Sequence, residues 1–460
     1  MPQTAPLQTA PLPTASSQSA PSQIAPSQTA TSQPSTLPQE ISIALQRAQV
    51  DCQGGEWAQV IAQCETAIAK SQQCLKQQMS AEAWIAQEKQ LKQSGDVAGA
   101  VRTCLEAVQH QPRLYAIYNR LRYNLMRYDI PDGDPVLEEI VDVCQQIVQK
   151  LPGLQMARVT LGYALTKLGR VDEATTCFRE ACDRFVQRQL KESGTALPDT
   201  MQVPQRHASD FAPNFMIIGA EKCGTTSLYQ YLRQHPAVMS PIEKEIDFFD
   251  MEYQRGLDWY LAHFPSMPEQ PGWITGETSA NYLYSKEAPA RVFEHFPNLQ
   301  LIVILRNPIE RALSRYSMMV RNGVEDRSFE DIVSQEMQQI ERSTTAEGIP
   351  WSVLNRCRHL GNSLYYYHLQ RWLSHFPKDQ LHILQSEALF AQPTQVLSQL
   401  CDQLGIESPP ANQSYARYNA GDYQPTLSDE MRQQLNAFFR PHTRKLEACL
   451  SRSFGWDADA

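Results

Sequence analysis

Downstream of about residue 211 the apolar residues fall into short uninterrupted runs: Phe215–Gly219 (FMIIG), Leu299–Leu305 (LQLIVIL) and Leu381–Leu384 (LHIL). Runs of this length, rich in Ile, Leu and Val, predict strands buried on both faces, as in a parallel sheet. Helical spacing of apolar residues covers Ser227–Arg233, Ile309–Val320, Leu364–His375 and Asp429–Leu446. Strand-helix alternation of this kind predicts an α/β domain over residues 211–460. Upstream, residues 39–190 show helical spacing alone. Residues 1–38 show neither helical nor strand spacing; they are nearly all Pro, Ser, Gln, Thr and Ala, with near-repeats such as Thr-Ala-Pro-Leu and Ala-Pro-Ser-Gln, and are expected to remain a disordered tail.

The helical stretch repeats. Glycines mark turns at Gly55, Gly95, Gly133 and Gly169, and in the helices that follow, Cys64–Ala67, Cys104–Ala107, Cys144–Ile147 and Phe178–Ala181 occupy matching places. Pro112 and Pro152 close two of the units. A unit of this kind is an amphipathic helical hairpin that must stack on its neighbours to bury its face. The register resembles tetratricopeptide repeats, although the spacing is longer than that family's usual ~34 residues. The resemblance implies a binding surface, with a protein partner possible. The recurring cysteines read as small core residues rather than metal ligands. A polar stretch over 191–210 links the two halves.

Composition narrows the function classes. The chain has 460 residues, enough for two domains and a tail, with 42% hydrophobic and 20% charged residues, ordinary for a globular protein. A net charge of −9 offers no footprint for nucleic acid. Eleven cysteines, an odd number scattered without a secretory leader, read as reduced thiols. No run approaches the ~20 apolar residues that span a bilayer. These features together lead to the expectation of a cytoplasmic protein with no transmembrane segment.

The strongest local signal is Gly219-Ala-Glu-Lys222-Cys223-Gly224-Thr225-Thr226-Ser227, set between the strand FMIIG and the helix SLYQYL. A strand that delivers the chain into a turn, followed at once by a helix, directs unsatisfied N–H groups and the positive helix end at an anion. Gly224 allows close approach of the backbone; Thr225, Thr226 and Ser227 add hydroxyls; Lys222 adds charge. The two glycines have the spacing of a Walker A loop, but Thr225 stands where its Lys belongs, which argues against an NTP-Mg²⁺ enzyme. No compact set of His, Asp or Glu suggests a metal site, and none is expected.

The loop matches instead the KxGTT-type loop of sulfotransferases that use 3′-phosphoadenylyl sulfate (PAPS). Further stretches resemble the same family, in particular the heparan sulfate sulfotransferases and their bacterial relatives: Lys244-Glu245-Ile-Asp247-Phe248-Phe249-Asp250, Gly256-Leu-Asp-Trp259-Tyr260, Gly276-Glu277-Thr278-Ser279-Ala-Asn281-Tyr282, and the run from Leu301 through Arg306 and Arg311 to Ser314 and Tyr316. Gly361–Pro377 and Phe454–Asp457 extend the likeness to the C-terminus. The resemblance implies a P-loop-like parallel sheet flanked by helices, preceded by the all-α helical repeats. It implies a 5′-phosphosulfate site from Lys222, Cys223, Gly224, Thr225, Thr226 and Ser227, and a 3′-phosphate site from Arg306 and Ser314. An Arg at a strand's carboxyl end, with its planar fork, suits a phosphate.

Catalytic roles follow by the same resemblance: Glu245 as the base that deprotonates the acceptor, and Lys222 as the cation facing the departing phosphate oxygen. The acceptor is expected to be a carbohydrate or glycolipid-like small molecule. In two places the chain departs from its glycan-modifying relatives, with Thr278 where they often have Lys and Asp247 where they often have His. The competing reading is a helical-repeat scaffold whose sulfotransferase-like half binds nucleotide without catalysis.

Overall fold

The structure is a computed structural model that describes residues 57–127, 130–192, 212–265, 272–409, 413–418 and 427–456. The tail over 1–38, the turn at Gly55 and the 193–210 part of the polar link lie outside the described residues. The chain forms two compact units, Met1–Met79 and Ser80–Ala460. In the first, the described residues make one helix, α1 (Trp57–Gln78).

The second unit begins with six helices: α2 (Ala81–Gln93), α3 (Val97–His110), α4 (Tyr115–Arg127), α5 (Pro135–Lys150), α6 (Gln155–Lys167) and α7 (Val171–Glu192). Their starts are written in the sequence. The Ser80 side chain accepts from the Ala83 amide, Asp96 from Gly99, and Asp134 from Val136 ahead of Pro135 at the first helical position. Gly95, Gly133 and Gly169 each take a left-handed φ, +84°, +82° and +75°, in the turns between α2 and α3, α4 and α5, and α6 and α7. α2 packs on α3, α3 on α4, α5 on α6 and α6 on α7, while α4 reaches past α5 to pack on α6, so the apolar faces form a continuous core. Ala100, Cys104, Ala107, Cys144, Phe178 and Ala181 are all buried in it. Gly162 is small for a physical reason: a Cβ there would lie 2.5 Å from the Phe178 ring.

The α/β half is built on five parallel strands, β1 (Phe215–Gly219), β2 (Val238–Met239), β3 (Ile274–Thr278), β4 (Gln300–Leu305) and β5 (Leu381–Gln385), in the order β2-β3-β1-β4-β5. The flanking helices include α8 (Thr225–Arg233), α9 (Leu257–Leu261), α10 (Ala288–His295), α11 (Pro308–Arg321), α12 (Phe329–Ser343), α13 (Trp351–Arg356), α14 (Tyr365–Leu373), α15 (Ser386–Ala391), α16 (Pro393–Leu404) and α17 (Asp429–Leu450). The α/β class with a P-loop-like parallel sheet, preceded by helices, is therefore the fold. Two strands escape the apolar-run rule. β2 has only two residues, and β3 (ITGET) is polar in sequence yet wholly buried. Gly276 sits at its centre because a Cβ would meet the Phe215 carbonyl at 2.2 Å across the β1–β3 ladder.

The helical array and the sheet half share a core. Trp259 of α9 donates Nε1–H to Thr166 Oγ1 (2.8 Å), and the Cys182 thiol lies 3.4 Å from the Ala262 carbonyl. The rings of Tyr163, Phe178, Trp259 and His263 interlock there, with Phe178 and His263 centroids 4.0 Å apart. Burial drives the His263 imidazole down to about 4, so it packs as a neutral ring.

Candidate active site

Strand β1 feeds the loop Ala220–Gly224 directly into α8. The first amides of α8 have no partner within the helix, and Gly224 caps it with φ +103°, a conformation that a side chain rarely adopts. A Cβ at Gly224 would also meet the Phe390 ring at 2.9 Å. Lys222 itself holds a left-handed φ of +70°. Among the described residues only four non-glycines do so, and Glu245 (+60°) and Asp247 (+52°) are two of the others. Such backbone costs on the order of 1–3 kcal/mol per residue and tends to gather where side chains must be aimed.

Lys222, Gly224, Thr225, Thr226, Arg306 and Ser314 line one cavity of about 410 Å³. Arg306 follows the last residue of β4, and its Nη1–H points to the Lys222 carbonyl at 3.4 Å. Ser314 lies in α11, whose start is fixed by Asn307: its side chain accepts from the amides of Ile309 and Glu310, ahead of Pro308 at the helix start. Burial holds the Lys222 ammonium below its usual range, assisted by Arg321, Arg311 and Arg315 and opposed by Glu221. Beneath the loop, Glu221 accepts from Arg315 (2.7 Å), while the fully buried Arg311 donates to Ser363 Oγ and to the carbonyls of Arg358 and His359.

Two of the residues expected to form the 5′-phosphosulfate site do not line the cavity. Cys223 is buried, its amide donates to the Ala220 carbonyl, and its thiol sits 3.5 Å from Tyr365 Oη, with burial pushing it up to about 11. Ser227 is also buried, and its hydroxyl holds the backbone of Tyr418. The cavity also contains residues that sequence reasoning missed, Arg321, Arg417, Phe390 and Tyr418. Arg321 lies two helical turns beyond Ser314 on α11, a spacing that could have found it. Arg417 comes from a distant segment, where its guanidinium stacks 4.4 Å from the Phe390 ring centroid, and no local signal marks it. Counting the lining, four cations (Lys222, Arg306, Arg321, Arg417) face one carboxylate, Glu310.

Glu245 lines a second cleft, of about 240 Å³. Its amide donates to the carbonyl of Thr278 at the carboxyl end of β3 (2.8 Å), and Lys244 Nζ stands 2.6 Å from its Oε1. The loop that carries it is positioned by a buried acid. Glu277, at 0% exposure in β3, accepts hydroxyl protons from Tyr260 (2.8 Å), Ser279 (2.9 Å) and Tyr282 (3.2 Å). Ser279 Oγ in turn accepts the Asp247 amide (3.1 Å), and Tyr282 Oη accepts the Phe249 amide (3.3 Å). Burial raises the Glu277 carboxyl to about 7 in spite of these donors. The Glu277-Thr-Ser-Ala-Asn-Tyr282 stretch therefore works as scaffolding for the 245–249 loop, a role its sequence did not disclose. Among the described residues no group of three or more His, Cys, Asp or Glu could hold a metal ion.

A strand–loop–helix turn, a cationic cavity beside it and a carboxylate at the neighbouring strand end form an arrangement suited to holding an anionic ligand. The model of the sulfotransferase domain matches residues 212–419. Mouse heparan sulfate glucosamine 3-O-sulfotransferase 3A1 is 31% identical over 284 residues, which cover 57% of this chain and 69% of the relative. The chain belongs to the sulfotransferase family. The membrane-associated sulfotransferase kil1 of Dictyostelium discoideum is 27% identical over 339 residues, covering 58% of this chain and 71% of the relative. A crystal structure of a sulfotransferase from Alicyclobacillus acidocaldarius shares 28% identity, with 54% of this chain and 99% of that chain covered and a TM-score of 0.43.

These relatives correct one expectation. The cytoplasmic placement was an expectation drawn largely from scattered cysteines and short apolar runs, and a relative named as membrane-associated overturns it. Cysteine usage reports redox chemistry, whereas attachment to a membrane needs no disulfide and no spanning helix. No described helix is long and apolar enough to cross a membrane.

Proposed function

We propose that the protein transfers a sulfuryl group from PAPS to a hydroxyl or amino group of a carbohydrate acceptor. The observation that carries this reading is the single cavity shared by Lys222, Thr225, Thr226, Arg306 and Ser314. Its volume of about 410 Å³ suits a nucleotide, and its four cations suit a ligand with phosphates at both ends. The loop amides, Lys222 and the two threonines hold the 5′-phosphosulfate; Arg306 and Ser314 hold the 3′-phosphate; the Phe390 ring offers an apolar wall. The backbone of Cys223 and the hydroxyl of Ser227 serve this site by shaping the loop and its helix.

PAPS supplies an activated sulfur whose bond to a phosphate oxygen is ready to break. Glu245 takes the proton of the attacking hydroxyl or amine as the new bond to sulfur forms. Lys222 meets the negative charge left on the phosphate oxygen when the old bond breaks, the electron pair staying with that oxygen. Lys244 orients the Glu245 carboxylate, and the Glu277 network fixes the loop beneath it. A carbohydrate acceptor is supported by the name of the mouse relative, a heparan sulfate glucosamine 3-O-sulfotransferase. The helical array, tetratricopeptide-like in register, is assigned to recognition, with the domain limits 39–190 and 211–460.

The test is calorimetry with adenosine 3′,5′-bisphosphate against ATP plus Mg²⁺. Micromolar binding of the bisphosphate is expected, weakened on the order of 100-fold in Arg306→Ala, the loss of about 2–3 kcal/mol that a charge-assisted pair implies. A preference for ATP would overturn the assignment.

A further inference from the structure

The Glu245 cleft is lined from both halves of the second unit. The loop contributes Glu243, Lys244, Glu245, Asp247, Met251 and Glu252; the helical array contributes Asn119, Arg122, Tyr123 and Met126 from α4 and Tyr163 from α6. An ion pair between Arg122 and Glu243 joins the two walls, and Arg122 Nη2–H also donates to Asn119 Oδ1. The repeats are thus part of the cleft rather than a separate module beside it.

Charge says what can enter. Two cations face four carboxylates, and both cations already have a carboxylate partner: Arg122 has Glu243, and Lys244 has Glu245. Glu252 is held by Arg255 at 3.0 Å from outside the lining. Behind Tyr123, Lys92 and Arg120 lie 5.4 and 5.6 Å from the ring centroid, and both are committed to the buried Glu88. A polyanionic chain entering here would find carboxylates and no uncommitted cation in the lining, a repulsive match. The apolar surface at the rim is Tyr123, 39% exposed, and Met251, 64% exposed, which suit the C–H face of a sugar ring. About 240 Å³ lies below the roughly 300–1,000 Å³ of sites that enclose larger ligands, so a terminal ring fits better than a chain.

We propose that this cleft, walled by α4 and the 243–252 loop, takes as acceptor a terminal sugar without negative charge, neutral or amino-bearing, selected by Asn119, Tyr123 and Glu252. The proposal rests on the sulfotransferase reading and deepens it.

Three probes are offered to the full chain with PAPS: N,N′-diacetylchitobiose (neutral), chitobiose (amino-bearing) and an N-sulfated heparosan hexasaccharide (anionic). Sulfated product is measured alongside bisphosphate binding. One of the first two should exceed the anionic probe at least about tenfold in kcat/KM. Tyr123→Ala should raise the KM of the preferred probe about fivefold with the bisphosphate Kd unchanged, and Glu252→Gln should narrow the discrimination against the anionic probe about threefold. A hexasaccharide that is the best acceptor, or a Tyr123→Ala variant with unaltered KM, overturns the proposal. So does bisphosphate binding with no sulfation of either uncharged or amino probe, which leaves the donor reading standing. Failure to bind bisphosphate at all instead removes the sulfotransferase reading and the proposal with it.

Discussion

The Lys222 cavity and the Glu245 cleft both open at carboxyl ends of strands, of β1 and β4 in one case and β3 in the other, yet they are opposite in charge and in construction. The first sets four cations against one carboxylate and is made mostly from two contiguous stretches, 222–226 and 306–321. The second sets two cations against four carboxylates and needs side chains as far apart in sequence as Asn119 and Glu252. A site for a fixed, highly charged donor can be encoded by a strand end, a turn and a helix start, because backbone amides do much of the binding. The second cleft is assembled from side chains instead, and on the proposed reading, in which it takes the acceptor, two architectures meet to supply them.

The largest expected effect separates the two sites outright. Glu245→Gln should lower turnover by about 10²–10⁴-fold, the usual contribution of a general base, with bisphosphate affinity unchanged. Equal loss of binding and turnover in single-turnover and calorimetric measurements would show that the two sites are not separable. Gly224→Ala strikes the other site. Its φ of +103° and the contact with Phe390 should cost about 1–3 kcal/mol of stability and weaken bisphosphate binding, and denaturant melts with and without the nucleotide measure both. A near-normal variant would mean that the loop relaxes without consequence for the anion cradle.

The smallest effect concerns the junction between the helical array and the sheet half. His263 has its folded value depressed to about 4 from an ordinary 6.5, so the unfolded chain binds the proton more readily. Its contribution to stability is therefore complete above pH 6.5 and is lost as pH falls from 6.5 towards 4. Glu277, raised to about 7, acts in the opposite sense, favouring the folded state at low pH. In His263→Gln the melting temperature should fall less steeply than in the parent between pH 6.5 and 4; an identical slope would locate the acid sensitivity elsewhere.

Much of the fold was readable because burial and sequence agree where strands are apolar. Phe215–Gly219, Leu299–Leu305 and Leu381–Leu384 read as strands, and strands stand at Phe215–Gly219, Gln300–Leu305 and Leu381–Gln385. β3 was illegible as a strand because it is polar in sequence yet wholly buried, and the donors that make a buried Glu277 tolerable, Tyr260, Ser279 and Tyr282, meet it only in the folded chain. The anion loop announced itself through glycine, lysine and hydroxyls at fixed spacing. Arg417 and Asn119 gave no such signal, since their places depend on tertiary contacts. Cys223 and Ser227 show the limit from the other side: a motif specifies which residues shape the loop without saying which of them face the cavity.

Ser227 has one more consequence. Its hydroxyl accepts the Tyr418 amide at 3.0 Å and lies 3.4 Å from the Tyr418 carbonyl, while Tyr231 Oη donates to the Ala416 carbonyl at 3.0 Å. These bonds stitch the segment carrying Arg417 to the helix that starts at the anion loop, across a chain separation of 191 residues. Closing a loop of that length costs conformational entropy that grows only slowly with its length, so a few hydrogen bonds can hold the two stretches together. Three of the four cations, Lys222, Arg306 and Arg321, sit on the anion loop or on the β4–α11 stretch, whereas the fourth, Arg417, is tethered to the cavity through the helix that opens at that loop.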